Sequence, residues 1–111
     1  VEAIVEASGD PVETRRELFL VESYVPLTSP SVVSSVLAQL SDAAQALQSE
    51  QERVWVRLCI ALPADETCFY VVECGAIESV QRVFARAAIS YERIVTAFRV
   101  DADRPDGSKG P

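Results

Sequence analysis

The chain has 111 residues, the length of a single domain, and 49% of them are hydrophobic, which suffices for a core without disulfides or metals. Acidic residues outnumber basic ones by 17 to 10, and the net charge of −7 suits neither a nucleic-acid backbone nor an anionic membrane. There is no His and no Met, which removes the usual general base, the commonest metal ligand and any Ser-His or Cys-His nucleophile system.

No apolar run approaches the ~20 residues that a membrane-spanning helix needs. The first residues lack the basic-then-apolar order of a signal peptide, so the expected location is the cytoplasm. Residues 1–16 mix Glu, Asp, Gly and Pro with a few aliphatics, and Gly9-Asp10-Pro11 breaks any strand there. They are expected to form a flexible N-terminal arm. The domain is placed at residues 17–100. Residues 101–111, rich in Asp, Gly, Ser, Lys and Pro without apolar periodicity, read as a disordered tail.

Residues 18–25 (LFLVESYV) are rich in strand formers. Thr28-Ser29-Pro30 then signals a helix start, with Ser29 as cap and Pro30 at the first helical position. Val32, Val33, Val36, Leu37, Leu40, Ala43, Ala44 and Leu47 recur at helical spacing, and the helix is expected to end near Ser49. Residues 54–62 (VWVRLCIAL) predict a second strand, Pro63-Ala64-Asp65 a turn, and residues 67–74 (TCFYVVEC) a third strand. Gly75 interrupts it. Ile77, Val80, Phe84 and Ala87 mark a shorter amphipathic helix, and residues 94–100 predict the last strand.

The order β-α-β-β-α-β is the ferredoxin-like one: an α+β fold with a four-stranded antiparallel sheet and two helices on one face. The other face is left open. Strand side chains alternate between faces. Val54, Val56, Leu58 and Ile60 are expected to face the helices, with Trp55, Arg57 and Cys59 on the open face. Centring the hairpin near Ala64 pairs Leu58 with Tyr70 and Val56 with Val72, which puts Phe69, Val71 and Glu73 on the open face beside Leu18, Leu20, Glu22 and Tyr24. That face is mostly apolar, and a monomer rarely leaves such a patch in water.

The segments LFLVESYVPLTSPSVV, ADETCFYVVECGAIESVQRV and ISYERIVTAFRV resemble a family of small bacterial ferredoxin-like proteins, mostly of unknown function, that includes a nickel-binding member. The resemblance spans residues 17–100, and its most specific piece is Asp65-Glu66-Thr67-Cys68-Phe69 leading to Glu73 and a helix. It implies a dimeric α+β barrel, two sheets packed open face to open face. Metal binding does not carry over, because nickel in such a site is expected to need imidazole ligands and this chain has none. The family's usual Pro after the third-strand Glu is replaced here by Cys74-Gly75.

Cys59, Cys68 and Cys74 show no Cys-x-x-Cys spacing. The expected register turns Cys59 away from Cys68, and the ~20 Å of strand between Cys68 and Cys74 forbids a bond. All three read as small buried hydrophobes, with no metal and no cofactor expected. Glu66 reads as hairpin solvation; Asp42, Glu50 and Glu52 read as a solvated helix face. Glu22, Arg57 and Glu73 differ, because each interrupts the apolar face of its strand. Ferredoxin-like strand order brings Glu22 and Glu73 towards one another, with Arg57 on the flanking strand.

The expected function is a homodimeric small-molecule-binding or interaction module with a ligand cavity between sheets, using Glu22, Tyr24, Trp55, Arg57, Phe69 and Glu73. The expected partners are the chain itself, as a dimer or larger oligomer, and a small organic ligand, with neither nucleic acid nor membrane. In the first alternative the same cavity belongs to a cofactor-free enzyme, an isomerase, cyclase or monooxygenase-like catalyst in which a carboxylate and Tyr24 transfer protons. In the second, the chain is a structural assembly subunit. Glu22, Arg57 and Glu73 read equally as a structural ion pair that lets the dimer form.

Overall fold

A computed structural model describes residues 16–102, so all but the last residue of the arm expected over residues 1–16, and all but the first two of the tail expected over residues 101–111, lie outside the described residues. The elements are β1 (Glu17–Tyr24), α1 (Pro30–Ser49), β2 (Val54–Leu62), β3 (Thr67–Cys74), α2 (Ile77–Ala87) and β4 (Arg93–Ala97), in the expected β-α-β-β-α-β order. The strands form one antiparallel sheet in the order β2-β3-β1-β4.

Local chemistry sets the helix ends. The Ser29 hydroxyl accepts the Val32 N–H at 3.3 Å, and Pro30 opens α1, where its missing N–H costs nothing. Leu40, Ala43, Ala44 and Leu47 form the stripe that α1 buries. Ser79, Val80, Val83 and Phe84 are the buried face of α2. That helix ends without a glycine: Ala88 takes the left-handed conformation at φ 59°, and the Ile89 N–H reaches back to the Phe84 carbonyl at 2.9 Å. Beneath the helices lie Phe19, Val21, Tyr70 and Val72, all buried. The Tyr70 and Phe84 rings meet edge to face at 5.7 Å, and Phe84 meets Tyr91 in the same way at 5.5 Å.

The hairpin departs from the simple alternation. Val56 pairs with Val72 as expected, but Leu58 pairs with Val71 rather than Tyr70. Arg57 is therefore the extra residue of a β-bulge. A bulge changes which face each later residue meets. Cys59 and Ala61 pack against the core, whereas Leu58 and Ile60, expected in the core row, are 51% and 52% exposed on the open face. Cys59 accordingly shares the helix-facing side with Cys68, contrary to the alternation-based expectation.

The last strand is shorter than residues 94–100. Pairing with β1 ends at Leu18 opposite Ala97, one residue from where β1 begins. Phe98, at 85% exposure, and Val100 lie beyond it as exposed apolar residues.

Candidate functional site

The uncovered sheet face can be read across the strands from the registers. Leu58, Val71, Leu20 and Val95 form one row, and Ile60, Phe69, Glu22 and Arg93 the next. Polar groups gather at the two ends, and the middle is apolar.

One end is built around Trp55, the single tryptophan of the chain. The Arg16, Arg57 and Arg53 guanidiniums stand 4.5, 5.3 and 5.8 Å from its ring centre. Arg57 donates from Nε to Glu73 Oε1 at 2.7 Å, and Arg16 donates from Nη1 to Glu73 Oε2 at 3.3 Å. These hydrogen bonds, that from Arg57 foremost, hold the Glu73 carboxyl below the usual carboxylate range. Leu18, Arg57, Leu58, Val71, Glu73 and Phe98 help to line a groove of about 550 Å³ beside it, within the range of small-molecule sites.

Glu22 is not part of that cluster. It stands opposite Phe69 on β3, four residues and roughly 13 Å of strand from Glu73. Its partner is Arg93 on β4, at 2.9 Å. The expected approach of Glu22 to Glu73 is therefore corrected: Glu22 pairs with Arg93, and Glu73 with Arg57 and Arg16. At the same end as Glu22, the Tyr24 hydroxyl donates to Glu66 Oε1 at 2.9 Å, and the Leu27 N–H donates to Oε2 at 2.8 Å. Glu66 is thus more than hairpin solvation, since it ties the β3 start to the β1–α1 loop. These two bonds lower the Glu66 pKa, and the bond to Glu66 raises that of Tyr24.

Of the six expected site residues, Trp55, Arg57 and Glu73 are brought together, Phe69 lies mid-face, and Glu22 and Tyr24 belong to the far end. Sequence reasoning passed over Arg16, Arg53, Leu58, Ile60 and Arg93. The alternation in RVWVR carries Arg53 to the face of Trp55, and that signal was present in the sequence. Leu58 and Ile60 gave no such signal, because the bulge reverses their parity. Glu50 and Glu52 pair with Arg86 and Arg82 of α2, which makes them ties between helix ends as well as solvated groups.

On the helix side, burial pushes the Cys59 thiol up to about 12, with Cys68 beside it adding to the effect. The Tyr70 hydroxyl is raised by burial and by the same two cysteines, and it has no hydrogen-bond partner among the described residues. All three cysteines are free thiols. Among the described residues no group of three or more His, Cys, Asp or Glu converges to hold a metal ion. No described helix is long and apolar enough to cross a membrane.

Fold and face together define an antiparallel α+β domain of ferredoxin-like topology with one sheet face uncovered. The fold is similar to that in the crystal structure of SCO4226 from Streptomyces coelicolor A3(2), with a TM-score of 0.61 and 21% identity over 76% of this chain and 99% of that one. At that identity the likeness shows the fold alone. No family model matches the chain, and no curated relative matches it.

Proposed function

We propose that the protein is a homodimeric small-molecule-binding module in which two copies pack open face to open face and enclose a ligand cavity. The observation that carries this reading is the apolar middle of the face: Leu58 and Ile60 project half-exposed at and beside the groove lined by Arg57 and Glu73. A second copy of the same sheet would cover them. The resemblance of residues 17–100 to a family of dimeric barrels supports the same arrangement.

Binding is favoured over proton transfer. A carboxylate held below its usual range by two arginines is a weak base at neutral pH. Tyr24 is tied to Glu66 at the other end of the face, away from Glu73.

Sedimentation of the wild-type chain and of Leu58→Asp tests the assembly. Leu58 is half-exposed in the single chain, so the variant should keep its fold and lose only the dimer. A wild-type monomer at micromolar concentration would refute the proposal. Native mass spectrometry then separates a dimer that retains a small molecule from a ligand-free structural assembly.

A further inference from the structure

The corner around Trp55 has a composition unlike the rest of the molecule. In a chain of net charge −7, Arg16, Arg53 and Arg57 converge on one ring, and among the described residues Glu73 alone makes ion pairs with them. Glu73 takes one N–H from Arg57 and one from Arg16, and Arg53 makes no ion pair among the described residues. Three guanidiniums carry five N–H donors each, so most of the donors at this corner are uncommitted. Among the described ion pairs of this corner, one carboxylate stands against three guanidiniums. Holding like charges together is unfavourable, and the faces of Trp55 offset only part of that.

The groove that opens beside this corner takes Arg57, Glu73 and Arg99 into its lining and is otherwise apolar. Leu18, Leu58 and Val71 form its floor, Leu58 having been turned outward by the bulge at Arg57. A cationic corner that opens onto an apolar floor matches a molecule with the inverse layout. Inorganic anions would use the arginines and leave the floor wet; neutral hydrocarbons would use the floor and leave the arginines unpaired.

We infer that this corner binds an amphipathic organic carboxylate, its head group on the Arg53 and Arg57 guanidiniums and its apolar body over Leu18, Leu58 and Val71. The planar guanidinium fork accepts a carboxylate through paired hydrogen bonds. Glu73 keeps Arg57 in place and prevents the corner from carrying its full charge while empty. The inference rests on the reading of the open face as a ligand site and names the class of ligand.

Trp55 is the only tryptophan, so its emission reports on this corner without labelling. The full chain is titrated with octanoate below its micelle threshold, and with octylamine and inorganic phosphate as comparisons. A saturable change in Trp55 emission is expected with octanoate alone. Arg53→Gln, which removes an exposed side chain, should weaken that binding about tenfold, and Arg53→Lys should weaken it less. No response to octanoate, an equal response to octylamine, or an unchanged affinity in Arg53→Gln would overturn the inference. An equal response to phosphate would also overturn it, by showing an anion site without the apolar half. Sedimentation of the same samples keeps the two readings apart. A dimer that ignores octanoate sinks this inference and leaves the assembly standing, whereas a monomer that binds octanoate does the reverse.

Discussion

Glu22 on β1 and Arg93 on β4 stand directly opposite one another and close a 2.9 Å ion pair across the sheet. Both side chains are partly exposed, so solvent screens their attraction. A double-mutant cycle with Glu22→Gln and Arg93→Gln should give a coupling of about 0.2–1 kcal/mol that shrinks with added salt. Glu22→Gln should also leave Trp55 emission unchanged, because Glu73 and its arginines lie at the other end of the face. A shift in that emission would restore the link between the two carboxylates.

Glu73 should make folding sensitive to acid. Its folded-state pKa is lowered, chiefly by the hydrogen bond from Arg57. Its contribution is present above the unfolded-state pKa and is lost as pH falls through the folded-state value. Urea midpoints measured from neutral pH to about pH 3 should fall less steeply in Glu73→Gln than in the wild type. Parallel slopes would mean that the arginines do not stabilise the ionised carboxylate.

At the alkaline end the sign reverses. The Cys59 thiol is raised from 9.0 to about 12, so the unfolded chain sheds this proton before the folded one does. Stability should therefore decline as pH climbs through that window, and Cys59→Ala should flatten part of the decline. Native alkylation of Cys59 should be slow at pH 8, since the thiolate is the reactive form. Denaturation without reductant should release three titratable thiols per chain. A count of one would mean that Cys59 and Cys68, which share the helix-facing side, had bonded.

Leu40 is fully buried in the stripe that α1 lays on the sheet. Leu40→Ala should cost about 2–5 kcal/mol, read from chemical denaturation. A loss below about 0.5 kcal/mol would remove Leu40 from the core.

The helices and the element order were legible because several local signals agreed. Ser29 and Pro30 marked the start of α1, and the apolar spacing from Val32 to Leu47 marked its buried side. The apolar row in β2 misled beyond Val56, because VWVRLCIAL reads as unbroken alternation and nothing in its letters announces a bulge. Cys59 and Leu58 were consequently assigned to each other's faces. Glu22 was misplaced for a different reason. Sharing a face does not fix the position along a strand, and the register sets it opposite Phe69 and Arg93. Trp55, Arg57 and Glu73 could be grouped because Trp55 precedes the register shift, Arg57 stands at it and Glu73 lies on β3.

The bulge gives β2 two reading frames for its side chains, and the frame changes at Arg57. Were Arg57 drawn into the ladder opposite Val71, Leu58, Ile60 and Leu62 would turn inward and Cys59 and Ala61 outward, with every letter unchanged. An oily strip would become a thiol-bearing one, whereas deleting Arg57 would keep the present faces. The chemistry of this surface is therefore governed by the pairing of a strand as much as by its spelling.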